Sequence, residues 1–557
     1  MAKRRRVVLG LSMVLFLSML FASLRTPYVR NFLTKLSLFA AVPTAFCATV
    51  AVPAGGDLQA AINNANPGDT IVLTAGATYT GNYTLPAKGM SRLYITIQTS
   101  ALDKLPTGRV SPQDLPNMAS LVSQSGGPII TADDYANHYR LAGLELRPQD
   151  GVYGTDLLRL GNGYTPTVAA LPHDLIVDRL YIHGDPAAGT KRGIALNCGT
   201  ATIQNSYISD IKSTFQDANG INSWSGTGPF TIANNYIEAS AENILFGGAV
   251  PSAPGIVPSD ILVTGNYLVK PMSWWPNSPQ YAGTQWVVKN LFELKSARRI
   301  TVAGNVMENC WPSGQGGYGV TITVRTEDGA DPTAVVQDAI FENNLVRNVA
   351  SGVDMQGVDD NGMGSTSNVL FHNNVFLVNG AAWGLASART FQLLNGVVGL
   401  TIDHNTAISD GTLILADEAP SPGLTFTNNI SFNGPYGIFG SGAGTGLKPL
   451  GLYFPGAAVT NNVVIGGSPK NYPPGNLLPA SIADVGFADA ANGNYALAAD
   501  SPYIAAANDG TPPGADVNSL SDIFDAAIQG TAGTSFTRPP VAPCIVGRSS
   551  CRVPQDK

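Results

Sequence analysis

Residues 340–346 read IFENNLV, 370–376 read LFHNNVF and 401–407 read TIDHNTA. Each is a short apolar stretch broken by a polar pair whose second member is Asn: Asn344, Asn374 and Asn405. The pattern recurs upstream as TIQNSYI, TIANNYI, LVTGNYL and TVAGNVM, and downstream as TFTNNIS and AVTNNVV. Aligned on that place stand Ser206, Asn235, Asn266, Asn305, Asn344, Asn374, Asn405, Asn429 and Asn462, at intervals of 29, 31, 39, 39, 30, 31, 24 and 33 residues. Two earlier segments, RLAGLEL and IVDRLYI, keep the apolar pattern with Leu144 and Leu180 at the key place. A propeller blade needs four strands in roughly 40–45 residues at a regular period. The shorter, variable interval fits one coil of a parallel β-helix, and the segments predict about eleven coils in an all-β chain. Asn at a fixed turn tolerates the left-handed backbone. Stacked coil on coil, its amides can bond along the axis as a ladder.

Such a stack buries its apolar surface only between neighbours, so its ends need caps. Residues 56–63, GDLQAAIN, read as a short amphipathic helix, followed by an NPGD turn and the strand TIVL at 70–73. This divides the chain into a leader (1–50), an N-terminal cap with the first coils (51–130), the repeats (131–470), a C-terminal cap (471–530) and a loose tail (531–557). The 61 Gly and 38 Pro exceed the ordinary combined share of roughly 12% and favour turns over long helices. The net charge of −7 leaves no electrostatic footprint for nucleic acid. Lys3–Arg6 followed by the apolar run 7–24 reads as a signal peptide or a membrane anchor. A second such pattern follows from Arg25, and serves if translation starts at Met13 or Met19. A secreted, extracellular or periplasmic protein is expected, touching the membrane only through this segment, and a monomer. Cys198 and Cys310 are expected buried, and Cys544 with Cys551 could pair. The five His are scattered, and His372 and His404 fall at ladder turns and read as structural.

On a strand alternate residues face out. In FELKS (292–296) this turns Glu293 and Lys295 outward, and in VTITVR (320–325) Thr321, Thr323 and Arg325. Lys295 and Arg325 are 30 residues apart, one coil, and should be neighbours. The same face should carry Asn222 and Trp224, Asn243, and then Asp354 and Gln356. The insertion 271–286 adds Trp274, Trp275, Tyr281 and Trp286, which suit stacking on sugar rings. Lys and Arg would meet an anionic sugar, and a carboxylate with an amide could hold calcium.

The cap DLQAAINNANPGDTIVL (57–73), the Asn coils and the closing GNYALAADSPYI (493–504) resemble the right-handed parallel β-helix, or pectin-lyase-like, superfamily over roughly residues 52–525. Lys295-Ser296 followed by Arg325 on the next coil is similar to the chondroitinase B and alginate lyase family of polysaccharide lyases. That resemblance implies β-elimination on a uronate-containing glycan, with Lys295 as base, Arg325 as acid and calcium on Asn243. The family's two acidic calcium ligands, five and seven residues before the Lys, are replaced by Asn290 and Val288. The ligand set therefore reads Asn243, Asn290 and Glu293. A glycoside hydrolase and a non-catalytic carbohydrate-binding or cell-surface protein are the alternatives. The Asn-Thr-Asp and Arg-Ile-Lys motifs of polygalacturonases and the Arg-x-Pro-x-x-Arg of pectate lyases are absent, and Asp359-Asp360 lies in a Gly-rich loop.

Overall fold

The computed structural model of the protein describes residues 47–534. The leader before Cys47, Cys544 with Cys551, and the tail beyond 534 lie outside the described residues. Within them no helix is long and apolar enough to cross a membrane. Cys198 and Cys310 are buried free thiols.

The chain winds through three long sheets, of fourteen strands (sheet I) and thirteen strands each (sheets II and III). One coil runs Val335–Glu342, Leu345–Val349 and Ser351–Gln356 through sheets I, II and III. The next starts at Ser365–His372 and pairs with it in parallel, from Val335↔Ser365 to Glu342↔His372. This is the right-handed parallel β-helix expected, with more coils than eleven. Thr70–Leu73 and Ile95–Thr99 open two further coils that lack the Asn signal. Helix α1 (Leu58–Asn64), capped by Asp57 accepting from the Ala60 N–H at 2.9 Å, closes the first coil with Leu58 and Ile62. Helix α2 (Leu447–Tyr453) packs on the last strands of sheet III. Parallel register puts like side chains on like inside the stack. Phe341 lies directly against Phe371, centroids 4.8 Å apart.

The Asn ladder runs through the corner between sheets I and II. Asn344 Oδ1 accepts both the backbone N–H and the Nδ2–H of Asn305, each at 3.0 Å. Its own Nδ2 donates to Val302 C=O at 2.8 Å, and its N–H donates to Asn374 Oδ1 at 2.9 Å. The series begins where the Leu180 N–H donates to Ser206 Oγ and continues to Asn476, whose Oδ1 accepts from Asn462. The left-handed residue is the one before each ladder Asn. Asn205, Asn234, Asn343, Asn373, His404, Asn428 and Asn461 have φ of +51 to +59°. The two tasks assigned to one Asn are thus split between neighbours, because a residue whose side chain points inward to the ladder cannot also make the bend.

Past the final coil, residues 498–534 do not stay at the end of the stack. They run back along sheet II as a strap that carries helix α3 (Val517–Gln529). Leu520, Phe524 and Ala527 of α3 bury Val306, Leu345 and Val375 on the outer face of sheet II. The strap is held by the left-handed column. Asn428 Nδ2 donates to Asn508 Oδ1, Asn373 Oδ1 accepts the Asp516 N–H at 2.7 Å, and Asn234 Nδ2 donates to Gly530 C=O. Arg109 donates to Ala527 C=O at 2.8 Å and to Ile528 C=O at the helix end, where a cation complements the dipole.

Breaking the ladder in its middle should be costlier than at its end. In Asn344→Leu the Asn305 N–H loses its acceptor, Asn305 Nδ2 keeps only the Val263 and Ala303 carbonyls, and Val302 C=O loses its side-chain donor, at about 1–3 kcal/mol per buried group left unpaired. Asn476 is partly exposed and water can replace it. Urea unfolding should show a loss of several kcal/mol for Asn344→Leu and clearly less for Asn476→Leu. Equal losses would contradict the ladder account.

Candidate active site on the third sheet

Sheet II is partly covered by apolar packing and carries paired charges such as Glu145 with His183 and Glu308 with Arg347; sheet III carries a second set of buried carboxyls. Its strands bury Ile221, Ile244, Phe292, Val320, Val353 and Phe391 in register. The following residue of each faces out, so Asn222, Leu245, Glu293, Thr321, Asp354 and Gln392 form one column. At the corner from sheet II a second row joins it. Asn219 Nδ2 donates to Glu242 Oε2 at 2.5 Å, and Asn290 Nδ2 donates to Glu293 Oε2 at 2.8 Å. Arg389 donates to the Tyr318 hydroxyl at 3.1 Å and to Gln392 Oε1.

Three carboxyls stand in this field. Glu242 and Glu293 are buried on adjacent coils. Burial first, then the charge of Glu293, holds the Glu242 carboxyl well above the usual range. Lys289 Nζ reaches Asp217 at 2.5 Å but stays 3.7 Å from Glu242 Oε1, and Lys295 Nζ is 3.7 Å from Glu293 Oε1. At 3.7 Å an ion pair is not a hydrogen bond. Glu242 Oε1, Asn290 Oδ1 and Thr321 Oγ1 are buried with no hydrogen-bond partner. Buried like-charged carboxyls must share a proton or take a cation, and two carboxyls with an amide oxygen suit a hard cation. Asp354 accepts from Gln392 Nε2 at 2.8 Å. Burial, with the charge of Glu293 added, pushes its carboxyl up to about 6.

The predicted residues divide. Lys295, Glu293, Asn290 and Asp354 meet on this face. Asn222 shares the column, but its Nδ2 is spent on Leu245 C=O and Gly247 C=O, both at 3.2 Å. The Arg325 N–H donates to Lys295 C=O at 3.1 Å, so the two backbones are neighbours as expected. Their charges part: Arg325 pairs with Asp360 at 3.2 Å, with side chains 45% and 75% exposed. Gln356 also turns to Asp360, at 3.3 Å. Trp224 lies under the Arg192 guanidinium, 4.7 Å away. Trp274 is not offered to solvent. It packs with Trp286, Trp311 and Trp383, while Trp275 meets Trp383 edge-on at 4.7 Å and keeps part of its surface free.

Asn243 leaves the predicted ligand set. Its Nδ2 donates to Ile237 C=O and Val269 C=O, and its Oδ1 accepts from Lys270. Strict alternation placed it outward, but the corner adds an inward residue. The glycines Gly220 and Gly319 mark that place: a Cβ on Gly220 would come within 2.4 Å of Ile237, and one on Gly319 within 2.5 Å of Val346. The outward carboxyl is the preceding residue, Glu242, which that glycine register could have revealed. Lys270 carried no sequence signal. Fully buried, it donates to Ala239, Ser240, Ala241 and Asn290 carbonyls and to Asn243 Oδ1. It fixes the corner from which Glu242 and Asn290 project.

Asp354 supplies a pH test. Between about pH 4 and 6 the folded protein keeps a proton that the unfolded chain, with an ordinary carboxyl at 3.8, has released. Stability conferred by the protonated form is therefore lost as pH rises through that window. Asp354→Asn should flatten the stability profile there, by at most about 1.4 kcal/mol per pH unit. Denaturant midpoints at pH 4, 5 and 6 check this, and an unchanged slope would contradict the assigned burial.

No family model and no curated protein sequence matches the chain. Solved structures do. An alginate lyase from a Paenibacillus species is 16% identical, covering 77% of this chain and 99% of its own, with a TM-score of 0.29. The pectate lyase Pel9A is 13% identical, covering 83% and 92%, TM-score 0.35. The PL6 family alginate lyase AlyGC is 13% identical, covering 84% and 58%, TM-score 0.46. At these identities and TM-scores the likeness carries no argument about this chain, whose parallel β-helix is read from its own three sheets.

Proposed function

We propose that the protein acts on polysaccharide, cleaving a uronate-containing glycan by β-elimination on the outer face of sheet III. The observation that carries this is the Lys295 side-chain amine beside buried Glu293, on the face where Glu242 Oε1 and Asn290 Oδ1 are buried without a hydrogen-bond partner. A proton next to a uronate carboxylate becomes removable when the carboxylate charge is offset. Calcium held by Glu242, Asn290 and Glu293 would supply that offset. Acting as the neutral amine, Lys295 Nζ takes the C5 proton and becomes the ammonium, the electron pair forms the C4=C5 double bond, and the C4–oxygen bond breaks. The departing oxygen takes a proton from solvent water and leaves as an alcohol. Arg325, bonded through its backbone to Lys295, would leave the exposed pair with Asp360 to steady that oxygen. Such a pair is worth about 0–1 kcal/mol, so the exchange is inexpensive. An exported monomer suits a substrate too large to enter a cell.

One observation favours hydrolysis as a second reading. Asp354 is held protonated up to about pH 6, as a general acid requires. It stands two strands from Glu293 in one column, roughly 9–10 Å between backbones. An inverting pair of carboxyls lies ≈ 6.5–9.5 Å apart.

Assays on alginate, pectate and chondroitin with calcium or chelator separate these readings. Elimination gives an ultraviolet-absorbing unsaturated product, which Lys295→Ala should reduce by at least about 100-fold, with calcium dependence weakened in Glu293→Gln. New reducing ends without absorbance, lost in Asp354→Asn, would replace elimination by hydrolysis. Glycan binding with neither product would leave a non-catalytic binding protein.

A further inference from the structure

The chain has five His, and four of them fall into two sets of histidines that meet edge to face and share an Asp: His138, His173 and Asp174, and His372, Asp403 and His404. The second set lies on the sheet I side of the ladder corner, away from the sheet III face. His372 ends one strand and Asp403 the next, directly paired in register. The ladder fixes both backbones, since Asn374 Nδ2 donates to His372 C=O and Asn405 Nδ2 to Asp403 C=O. Asp403 Oδ1 is saturated by Thr427 Oγ1 at 2.7 Å and Asn428 Nδ2 at 2.9 Å. That leaves Oδ2 facing His372 Nδ1 at 3.3 Å and His404 Nδ1 at 2.9 Å.

We propose that His372, Asp403 and His404 bind a divalent transition ion of the zinc class. With metal–nitrogen bonds of about 2.0–2.1 Å and metal–oxygen bonds of about 2.0–2.2 Å, ligand atoms around one ion stand roughly 2.9–3.4 Å apart. Both contacts to Asp403 Oδ2 fall in that range. Two imidazoles with one carboxylate favour zinc, nickel, copper or iron over calcium, which takes oxygen ligands. Outer partners are in place as well. His404 Nε2 is 3.1 Å from Thr511 Oγ1 and 3.6 Å from Asp509 Oδ2, both on the strap. A proton held on Nε2 by such partners leaves Nδ1 free to ligate. The set borders a cavity of about 560 Å³ between the coil wall and the strap, which gives an ion entry and room for a further ligand. The other set has no strap behind it, and His138 Nδ1 is engaged by Asn137 Oδ1 at 3.0 Å. Metal at His404 would draw strap and wall together.

The test is calorimetric titration of zinc chloride into the chelator-treated full chain, with cobalt(II) absorption as a second probe. Parallel titrations use His372→Ala and, as control, His138→Ala, and melting without metal confirms that each variant folds. One zinc equivalent should be lost in His372→Ala and kept in His138→Ala. Thr511→Val, which keeps all three ligands, should weaken binding by about tenfold. Zinc should raise the melting temperature of the parent and not of His372→Ala. No bound zinc, an isotherm unchanged in His372→Ala, or a site lost only in His138→Ala would overturn the proposal.

Discussion

The buried Asn ladder is the constraint on which the rest depends. A parallel coil must turn between sheets without leaving its amide groups unpaired, since each buried orphan costs about 1–3 kcal/mol. A backbone turn alone cannot satisfy them at the corner. The ladder Asn does so with one side chain that serves three groups, as Asn344 does for Asn305 and Val302. Its register then passes to everything downstream. The residue before it takes the left-handed bend and becomes the anchor for the strap, while the residue after it faces out of sheet II and is covered by α3.

Coverage decides where chemistry can sit. Sheet II is sealed along much of its length by the strap and by the Leu105, Val110 and Met118 cluster against Tyr181 and Tyr207. The long insertions therefore border sheet III. Their tryptophans build a small core of their own around Trp286 and Trp311, which braces the corner rather than reaching for ligand. The same corner is pinned from inside by Lys270, whose ammonium replaces the water or ion that five converging oxygens would otherwise demand. The under-bonded oxygens of Glu242 and Asn290 are thus held on a rigid frame, the arrangement a preorganised site needs.

Much of the fold was legible because its signal is repeated. Nine aligned segments gave the coil, the ladder and the parallel stacking, and alternation placed Glu293, Lys295 and Asp354 together. What escaped has local causes. The first coils carry no Asn at the ladder place. Alternation fails at the corner into sheet III, so Glu242 was passed over for Asn243, although glycines at positions 220 and 319 mark the inward place. The strap has an ordinary amphipathic sequence, and nothing in residues 498–534 states that they turn back rather than cap. The burial of Trp274 depends on Trp311 and Trp383, which are far from it in sequence and meet it only after folding.

The most direct test of the central claim is a crystal structure with a uronate oligosaccharide in the presence of calcium. The account predicts the sugar lying across sheet III, with its carboxylate near Glu242, Asn290 and Glu293 and its C5 within about 3.5 Å of Lys295 Nζ, the reach of a reacting pair. A saccharide bound on another face, or on sheet III with Lys295 still paired to Glu293 and turned from the sugar, would contradict it.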